Sequence, residues 1–298
     1  MPVIIDGHED LAWNALNFGR DYRRSARETR EQERQLLSGG SPIGETLLGW
    51  PEYQAGQVGL VFATIFASHQ KYTKDAWDRL TYVDSASAAR VYGREFDFYE
   101  KLTSESPDQF RLIRRTAELE NLLKLWQEQP AHYPETAHPV GLVLLMEGAE
   151  GLRDWDQLSE WHERGLRILG PVWAGGRFFG GTREPGPMTA EGRALLEAMQ
   201  EIGFVLDISH MSDESALAAM DAYDGTIIAG HANVRSVLGG AGGERHLTQR
   251  AISHLVEHDG VVGVIPYNRF LDPNWYPGAA RDRVRLEHLV NHVDAVCQ

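Results

Sequence analysis

The chain has 298 residues and a mass of 33.4 kDa; 42% of the residues are hydrophobic and 24% are charged, as in an ordinary globular protein. Its 29 Lys and Arg against 43 Asp and Glu give a formal net charge of −14, which argues against binding to nucleic acid or to an anionic membrane. No apolar run approaches the roughly 20 residues of a spanning helix, and a strand predicted almost at Met1 leaves no room for a secretory signal. Cys297 is the single cysteine, so no internal disulfide can form, and the prediction is a cytoplasmic enzyme.

The first half of the chain is predicted to contain three buried strands. Residues 2–10 form a short apolar strand followed at once by polar residues, and a charged insertion with some helix is predicted around 17–57. The remaining elements predicted before residue 150 are a strand at 58–67, amphipathic helices at 86–104 and 116–129, and a strand at 140–145.

From residue 157 onward, short apolar strands alternate with helices. The predicted strands are 166–169, 204–208, 226–229 and 261–265, and the predicted helices are 157–164, 191–202, 213–220, 248–257 and 285–297. Parallel strands require such crossovers, so the pattern predicts an α/β fold with seven strands. A single-domain TIM-type (β/α)8 barrel over 1–298 is the favoured interpretation, and a doubly wound open sheet is the alternative.

Ionisable side chains stand at the ends of the predicted strands, where a barrel has its active face. These residues are His8, Asp10, Glu147, His210 and His231. Imidazole and carboxylate ligands suit Zn²⁺, with other divalent transition metals as alternatives. Five such ligands exceed what one catalytic zinc uses and suit two ions, although a histidine taken alone is more often a hydrogen-bonded structural residue.

Other candidates compete with this metal site. His254 and His258 lie four residues apart on a predicted helix, as do His288 and His292, but neither pair has the His-Glu-x-x-His order. Both pairs are therefore predicted to lie on solvated helix faces. The glycine-rich run 175–181 lacks the Gly-Lys-Ser/Thr of a phosphate-binding loop, and it is interpreted as a mobile active-site loop or a plain surface loop.

Four separated blocks resemble the membrane (renal) dipeptidase family of binuclear zinc peptidases, over essentially the whole chain from Val3 onward. The blocks are Asp6-Gly7-His8-Glu9-Asp10-Leu11, Glu147-Gly148-Ala149, Asp207-Ile208-Ser209-His210 and His231-Ala232-Asn233. The resemblance implies a metal-dependent barrel of the amidohydrolase type with two Zn²⁺ per chain. It also implies a metal-bridging hydroxide that hydrolyses the peptide bond of a small dipeptide.

The same resemblance implies a role for each predicted ligand. His8 and Asp10 would bind one zinc, His210 and His231 the other, and Glu147 would bridge the two ions. Glu147 and Asp10 are the carboxylates expected to take part in catalysis.

Substrate-binding residues are also implied. The family binds the substrate carboxylate with an arginine, and Arg245 matches its position best, with Arg235 second. A histidine that stabilises the oxyanion in the family is replaced here by Trp173, so the oxyanion donor is either missing or supplied elsewhere, by Arg177 or His69.

A second departure from the family lies at the end of the sequence. The family continues into an eighth strand, whereas this sequence stops at Gln298, so the favoured interpretation is a fragment that lacks this strand, and closure of the gap by another segment is the alternative. The leading prediction is a zinc-dependent dipeptidase whose partner is a small-molecule dipeptide, with homodimer formation left open. A binuclear metallohydrolase of another small amide, N-acyl amino acid or lactone is the first alternative, and a non-catalytic pseudoenzyme is the second.

Overall fold

The computed structural model describes residues 2–36, 44–73 and 77–298; the part of the predicted insertion at 37–43 lies outside the described residues. The strands are β1 (Ile4–Glu9), β2 (Val58–Phe66), β3 (Ser68–His69), β4 (Thr81–Tyr82), β5 (Phe110–Leu112), β6 (Val140–Glu147), β7 (Leu166–Gly170), β8 (Val205–Asp207), β9 (Ile227–Ala229) and β10 (Val261–Val262). The α-helices are α1 (Leu11–Phe18), α2 (Ala26–Leu36), α3 (Trp50–Gly56), α4 (Ser85–Glu105), α5 (Thr116–Glu128), α6 (Asp156–Glu163), α7 (Ala190–Ile202), α8 (Asp213–Ala222), α9 (Gln249–Glu257), α10 (Asn268–Leu271) and α11 (Leu286–Cys297). Single turns of 3₁₀ helix lie at Gln70–Tyr72, Ser236–Leu238 and Gly243–Arg245.

The chain divides into two compact units, the first made of residues 1–146 and 151–167 and the second of residues 147–150 and 168–298. In the first unit the strand order is β1-β2-β6, and β5 also pairs with β6. The pairings of β1 with β2 and of β5 with β6 are parallel, and a separate two-stranded sheet joins β3 and β4.

Strand β6 shows why these segments form buried parallel strands. Its sequence, Val-Gly-Leu-Val-Leu-Leu-Met-Glu, is buried at every position, as expected where both faces of a parallel sheet are covered. At Gly141 a Cβ would clash with the side chain of Leu122, so the missing side chain lets α5 pack closely on the strand. The strand ends at Glu147, the first polar side chain of the run.

In the second unit the strand order is β7-β8-β9-β10, and each neighbouring pair is parallel. Helix α7 illustrates the connections between these strands. The hydroxyl of Thr189 accepts the amide N–H of Gly192 at its start, and Gly203 ends it in the left-handed region with a φ of 90°. Turn chemistry thus sets both ends of a helix whose apolar face packs in the core.

The predicted fold class is confirmed in the described residues, where seven strands follow one another in chain order with helices between them. The short strands β3, β4 and β5 and the helix α10 were not predicted. Strand β10 has two residues, whereas five were predicted at 261–265. Within the described part of the chain, no helix is both long and apolar enough to cross a membrane.

Two further predictions are corrected by burial. The face of α11 that carries His288 and His292 was predicted to be solvated, but His292 is fully buried and its Nδ1 accepts the amide N–H of Val234 at 3.1 Å. The helix exposes Leu286 and Val290 instead. The glycine-rich run 175–181 is not a plain surface loop, because Phe178 and Phe179 within it are fully buried.

Candidate metal centre

Three predicted ligands of the second unit converge. Glu147 ends β6, His210 lies in the turn after β8, and His231 follows β9. Oε1 of Glu147 lies 2.8 Å from Nε2 of His210 and 3.1 Å from Nε2 of His231, and the two Nε2 atoms are 2.9 Å apart. Two imidazoles and one carboxylate therefore direct their ligand atoms at a common point.

The donor set fits a divalent transition metal. Bonds of about 2.0–2.2 Å to nitrogen and oxygen put neighbouring ligands of a tetrahedral zinc at roughly 3.3 Å from each other. The three observed separations are slightly shorter, so a small movement outward would accommodate an ion. The side chains are 7–13% exposed, which makes this a largely dry site.

Thr182 fixes the orientation of the His210 ring. Its Oγ1 lies 3.1 Å from Nδ1 of His210 and 3.2 Å from the carbonyl oxygen of the same residue. One assignment satisfies both contacts: the ring donates its Nδ1–H to the hydroxyl, and the hydroxyl donates to the carbonyl. That tautomer leaves Nε2 with the lone pair that a metal ligand needs.

A buried aspartate ties together the two turns that carry the histidines. Asp207 is 2% exposed, and its Oδ1 accepts the amide N–H groups of Ser209 and Gly230, each at 3.0 Å. The hydroxyl of Ser209 also donates to Asp207 and accepts the amide N–H of His231 at 3.1 Å. The backbone on both sides is thereby linked through one carboxylate and one hydroxyl.

Arg245 spans the same two turns. Its Nη1 donates to the carbonyl oxygen of Ser209 at 3.0 Å, and its Nη2 donates to that of His231 at 2.8 Å. Burial lowers the pKa of Arg245 to about 10, opposed by the charges of Glu147 and Asp207. The guanidinium therefore stays protonated at neutral pH and supplies a positive charge next to the two turns.

The first unit holds the other two predicted ligands. His8 is in β1 and Asp10 precedes α1, with Nε2 of His8 at 3.6 Å from Oδ1 of Asp10. The hydroxyl of Thr64, a fully buried residue of β2, donates to Oδ1 of Asp10 at 2.6 Å. Tyr99 holds the backbone of this threonine by donating its hydroxyl to the Thr64 carbonyl oxygen at 2.7 Å.

Glu9 lies between these two ligands but belongs to the core. It is 5% exposed and its Oε2 accepts a hydrogen bond from the hydroxyl of Tyr53. Burial, with a further contribution from Asp6, raises the pKa of Glu9 well above its ordinary value. Glu9 is therefore a buried structural carboxyl and not a third donor on this segment.

Three predicted substrate-binding residues, Trp173, His69 and Arg177, have different neighbours in the structure. Trp173 lies beside His210, with ring centroids 6.3 Å apart. His69 packs on Tyr82 of the small sheet, at 5.1 Å between centroids. Arg177 lies 3.8 Å from Glu191 and 4.3 Å from the ring of Phe178, measured from Nε and Cζ respectively.

Several residues of the site carry no sequence signal of their own. Thr64 and Thr182 are single hydroxyl residues in strand or loop, with no motif around them, and they were not predicted. Ser209 belongs to one of the four sequence blocks that carry the family resemblance, but the resemblance implied no role for it. Arg183, whose Cζ lies 5.0 Å from the ring centroid of Trp173, was missed for the same reason as the threonines.

Histidines and carboxylates at the ends of parallel strands are the arrangement by which barrel enzymes hold catalytic metal ions. The model of the membrane dipeptidase family (peptidase family M19) matches residues 1–298. The chain therefore belongs to this family, and the resemblance drawn from the four sequence blocks is confirmed.

Two curated relatives are described as uncharacterized proteins. One, an uncharacterized protein in the PQQ-III 3′ region of Acinetobacter calcoaceticus, is 32% identical over 168 residues, which are 53% of this chain and 52% of the relative. The other, an uncharacterized protein in the pqqA 5′ region of Klebsiella pneumoniae, is 26% identical over 165 residues, 52% of this chain and 59% of the relative. The matched part of the chain thus spans about half the length of these relatives.

Solved structures share the fold. A dipeptidase AC described as a metallopeptidase of family M19 has a TM-score of 0.73 at 21% identity, over 99% of this chain and 80% of its own. A metallopeptidase from Rhodobacter sphaeroides, liganded with a phosphinate mimic of the dipeptide L-Ala-D-Ala, has a TM-score of 0.74 at 22% identity, over 99% of this chain and 81% of its own. At these identities the likeness shows the fold, and it agrees with the predicted TIM-type class.

Proposed function

We propose that this chain is a metal-dependent dipeptidase that hydrolyses the peptide bond of small dipeptides. The observation that carries the proposal is the convergence of the His210, His231 and Glu147 ligand atoms within 2.8–3.1 Å of one another. Membership of the membrane dipeptidase family supports it.

The proposed ligands form two sets that share one carboxylate. His210 and His231 would hold one zinc, His8 and Asp10 would hold the second, and Glu147 would contribute to both sets. Two bound zinc ions would supply Lewis acidity and a lowered pKa for water, which is the chemistry that amide hydrolysis needs at neutral pH. Other divalent transition metals have the same ligand preferences and remain alternatives.

The chain's own residues prepare these ligands. Thr182 holds the proton of His210 on Nδ1, so that Nε2 is the ligand atom, and Thr64 orients the carboxylate of Asp10. Glu147 and Asp10 are the proposed catalytic carboxylates. The contact to the substrate carboxylate stays a prediction from the resemblance, with Arg245 first and Arg235 second.

A second candidate function rests on Trp173. Its indole lies beside His210, where it can donate one N–H hydrogen bond but cannot carry a positive charge. The guanidinium of Arg183 lies over the same indole, with its Cζ 5.0 Å from the Trp173 ring centroid. An aromatic wall with a nearby cation also suits an N-acyl amino acid, whose apolar acyl group and carboxylate would meet the two side chains.

The test is to measure metal content and hydrolysis together on the purified chain. We expect two zinc ions per chain after removal of loosely bound ions, and hydrolysis of unblocked dipeptides that a chelator abolishes and zinc restores. Activity on N-acyl amino acids without activity on dipeptides would favour the second candidate. A chain that binds no zinc, cobalt or manganese would contradict both.

A further inference from the structure

Helix α4 directs two buried polar side chains at the end of strand β2. Glu95 and Tyr99 lie one helical turn apart, and both are fully buried. The hydroxyl of Tyr99 donates to the carbonyl oxygen of Thr64 at 2.7 Å. Oε2 of Glu95 accepts the amide N–H of Phe66, also at 2.7 Å. Burying a polar group costs free energy unless it is hydrogen-bonded, and here each side chain is bonded to the backbone of β2.

The two bonds have the pattern of a parallel strand ladder. In a parallel pair, one residue of the neighbouring strand donates to a carbonyl that lies two positions before the amide from which it accepts. Thr64 and Phe66 are spaced in this way, so the two α4 side chains together take the place of one residue of a neighbouring strand. They do so at the point where the register of β1 with β2 ends, at Ala63.

Tyr99 also reaches the segment that carries Asp10. Its hydroxyl accepts the amide N–H of Ala12 at 3.1 Å, in the first turn of α1. Thr64, whose carbonyl oxygen Tyr99 binds, donates its own hydroxyl to Oδ1 of Asp10 at 2.6 Å. One phenol therefore fixes the chain two residues after Asp10 and also fixes the strand residue that bonds the Asp10 carboxylate.

The protonation of both side chains suits this arrangement. Burial raises the pKa of Tyr99 well above its ordinary value, so the phenol keeps the proton that it donates to Thr64. Burial also raises the pKa of Glu95, with a further contribution from the charge of Asp10, so its carboxyl favours the uncharged form. The end of β2 is thus held without a further negative charge near Asp10.

We propose that Tyr99 and Glu95 form a clamp, meaning these two α4 side chains bound to the backbone of β2, that positions the carboxylate of Asp10 for metal binding. The inference rests on the proposed function, in which Asp10 is a ligand of one zinc ion. Both are positioning residues, because they act on Asp10 through Thr64 and through the first turn of α1.

The first measurement is the Zn²⁺ affinity of the full chain, by competition with a chelator of known affinity. Tyr99→Phe removes only the hydroxyl, and we expect it to weaken binding of one zinc ion about 10-fold, the lower end of what residues behind a ligand contribute. Tyr223→Phe is the matched control, because Tyr223 is also a buried tyrosine that donates to a main-chain carbonyl, that of Phe204, but belongs to the second unit. Unchanged affinity in Tyr99→Phe, or an equal loss in both variants, would overturn the proposal.

The second measurement asks whether Tyr99 acts through Thr64. Thr64→Val keeps the branched shape of the side chain but loses the hydroxyl that binds Asp10. If Tyr99 positions that hydroxyl, the double variant Tyr99→Phe, Thr64→Val should have a zinc affinity close to that of Thr64→Val alone, because the effects of coupled residues do not add. Losses that multiply in the double variant would show that the two residues act independently and would overturn the clamp.

Glu95 is tested by a pair of variants. Glu95→Gln keeps an oxygen that can accept the amide N–H of Phe66, so we expect a zinc affinity close to that of the wild type. Glu95→Leu removes the acceptor and should weaken zinc binding about 10-fold, as Tyr99→Phe does. Equal zinc affinities in the two Glu95 variants would overturn the part of the clamp assigned to this residue.

The last measurement needs neither metal nor turnover. In the metal-free chain, hydrogen exchange should rise at the amide of Ala12 in Tyr99→Phe and at the amide of Phe66 in Glu95→Leu, and Tyr223→Phe should change neither. Exchange at the wild-type rate at both amides would overturn the clamp. A wild-type chain that fails to bind zinc would instead contradict the proposed function, whatever the exchange result.

Discussion

Hydroxyl groups decide how two of the candidate ligands are presented. The hydroxyl of Thr182 accepts a hydrogen bond from the Nδ1–H of His210 and donates a hydrogen bond to the carbonyl oxygen of the same residue. Thr64 orients the Asp10 carboxylate in the other unit in a corresponding way. In both cases an uncharged threonine, which belongs to no sequence motif, orients a proposed metal ligand through a hydrogen bond.

Removing the hydroxyl from Thr182 should weaken metal binding without unfolding the chain. Thr182→Val keeps the shape of the side chain but cannot accept a hydrogen bond from Nδ1–H, so His210 loses its preference for the required tautomer. We expect zinc affinity to fall about 10- to 100-fold, measured by chelator competition. Thr182→Ser, which retains the hydroxyl, should stay close to wild type; equal losses in the two variants would contradict the tautomer argument.

Deleting the imidazole at position 210 tests the ligand itself. We expect His210→Ala to lose one of the two zinc ions per chain and all measurable hydrolysis, because its Nε2 is one of three converging donors. The far-ultraviolet circular dichroism should be unchanged, since the residue lies in a turn. Full zinc content and full rate in this variant would show that the ligand assignment is wrong.

The ligand candidates were predictable from sequence because each lies at or near the end of a strand that the apolar pattern predicts. Their supporting residues were not, because the partner of His210 lies 28 positions away and that of Asp10 lies 54 positions away. A single threonine has no spacing that marks it. Long-range hydrogen bonds of this kind become visible only when the strands are assembled.

At the scale of secondary structure, elements with clear end signals were predicted to within a residue. Helix α7 begins after a Thr cap and ends at a left-handed glycine, and its predicted and observed ends differ by one residue at the start. Strand β5 has three residues, one of them charged, which is too short for a periodic pattern. Strand β10 was overestimated because apolar composition continues to Ile265 after the strand pairing has stopped at Val262.

Two buried histidines, His246 and the α11 residue His292, lead us to expect that the stability of this part of the fold depends on pH. Burial lowers the pKa of His246 to about 4, with Arg245, His292 and Arg235 adding to the shift, and burial also lowers the pKa of His292. Between pH 6.5 and about 4 the unfolded chain binds a proton at His246 that the folded chain does not bind. The stabilisation is therefore complete above about pH 6.5 and is lost as the pH falls.

We expect the free energy of unfolding to decrease by roughly 2 kcal/mol for His246 alone on going from about pH 8 to about pH 5. Urea unfolding of the metal-free chain at a series of pH values measures this decrease in the free energy of unfolding. His246→Gln should flatten this dependence. A slope unchanged by His246→Gln would assign the pH dependence to other groups.

At the scale of the whole molecule, the predicted ligands are distributed over two units, His8 and Asp10 in the first and the other three in the second. The ligand atoms of Glu147, His210 and His231 converge within the second unit, so they are organised only when that unit has folded. Under the proposed function, metal binding and the completed fold are therefore coupled.

Zinc should accordingly stabilise the chain. At a free zinc concentration about 100 times the dissociation constant, one bound ion that the unfolded chain does not bind adds about 2.7 kcal/mol to the free energy of unfolding. Urea unfolding with zinc and with a chelator measures the difference, and His210→Ala should lose most of it. A zinc effect that is the same in wild type and His210→Ala would place the stabilising ion elsewhere.

The two hydrogen bonds that Arg245 donates to the turns after β8 and β9 also have a consequence for synthesis of the protein. The ribosome adds Glu147, His210 and His231 to the chain before it adds Arg245, which lies 35 residues beyond His210. At translation rates of about 5–20 residues per second, roughly 2 to 7 s pass between the addition of His210 and the addition of Arg245. During this interval the nascent chain would carry the proposed ligands on turns that have not yet been joined, so under the proposed function we expect stable metal loading to follow the emergence of Arg245.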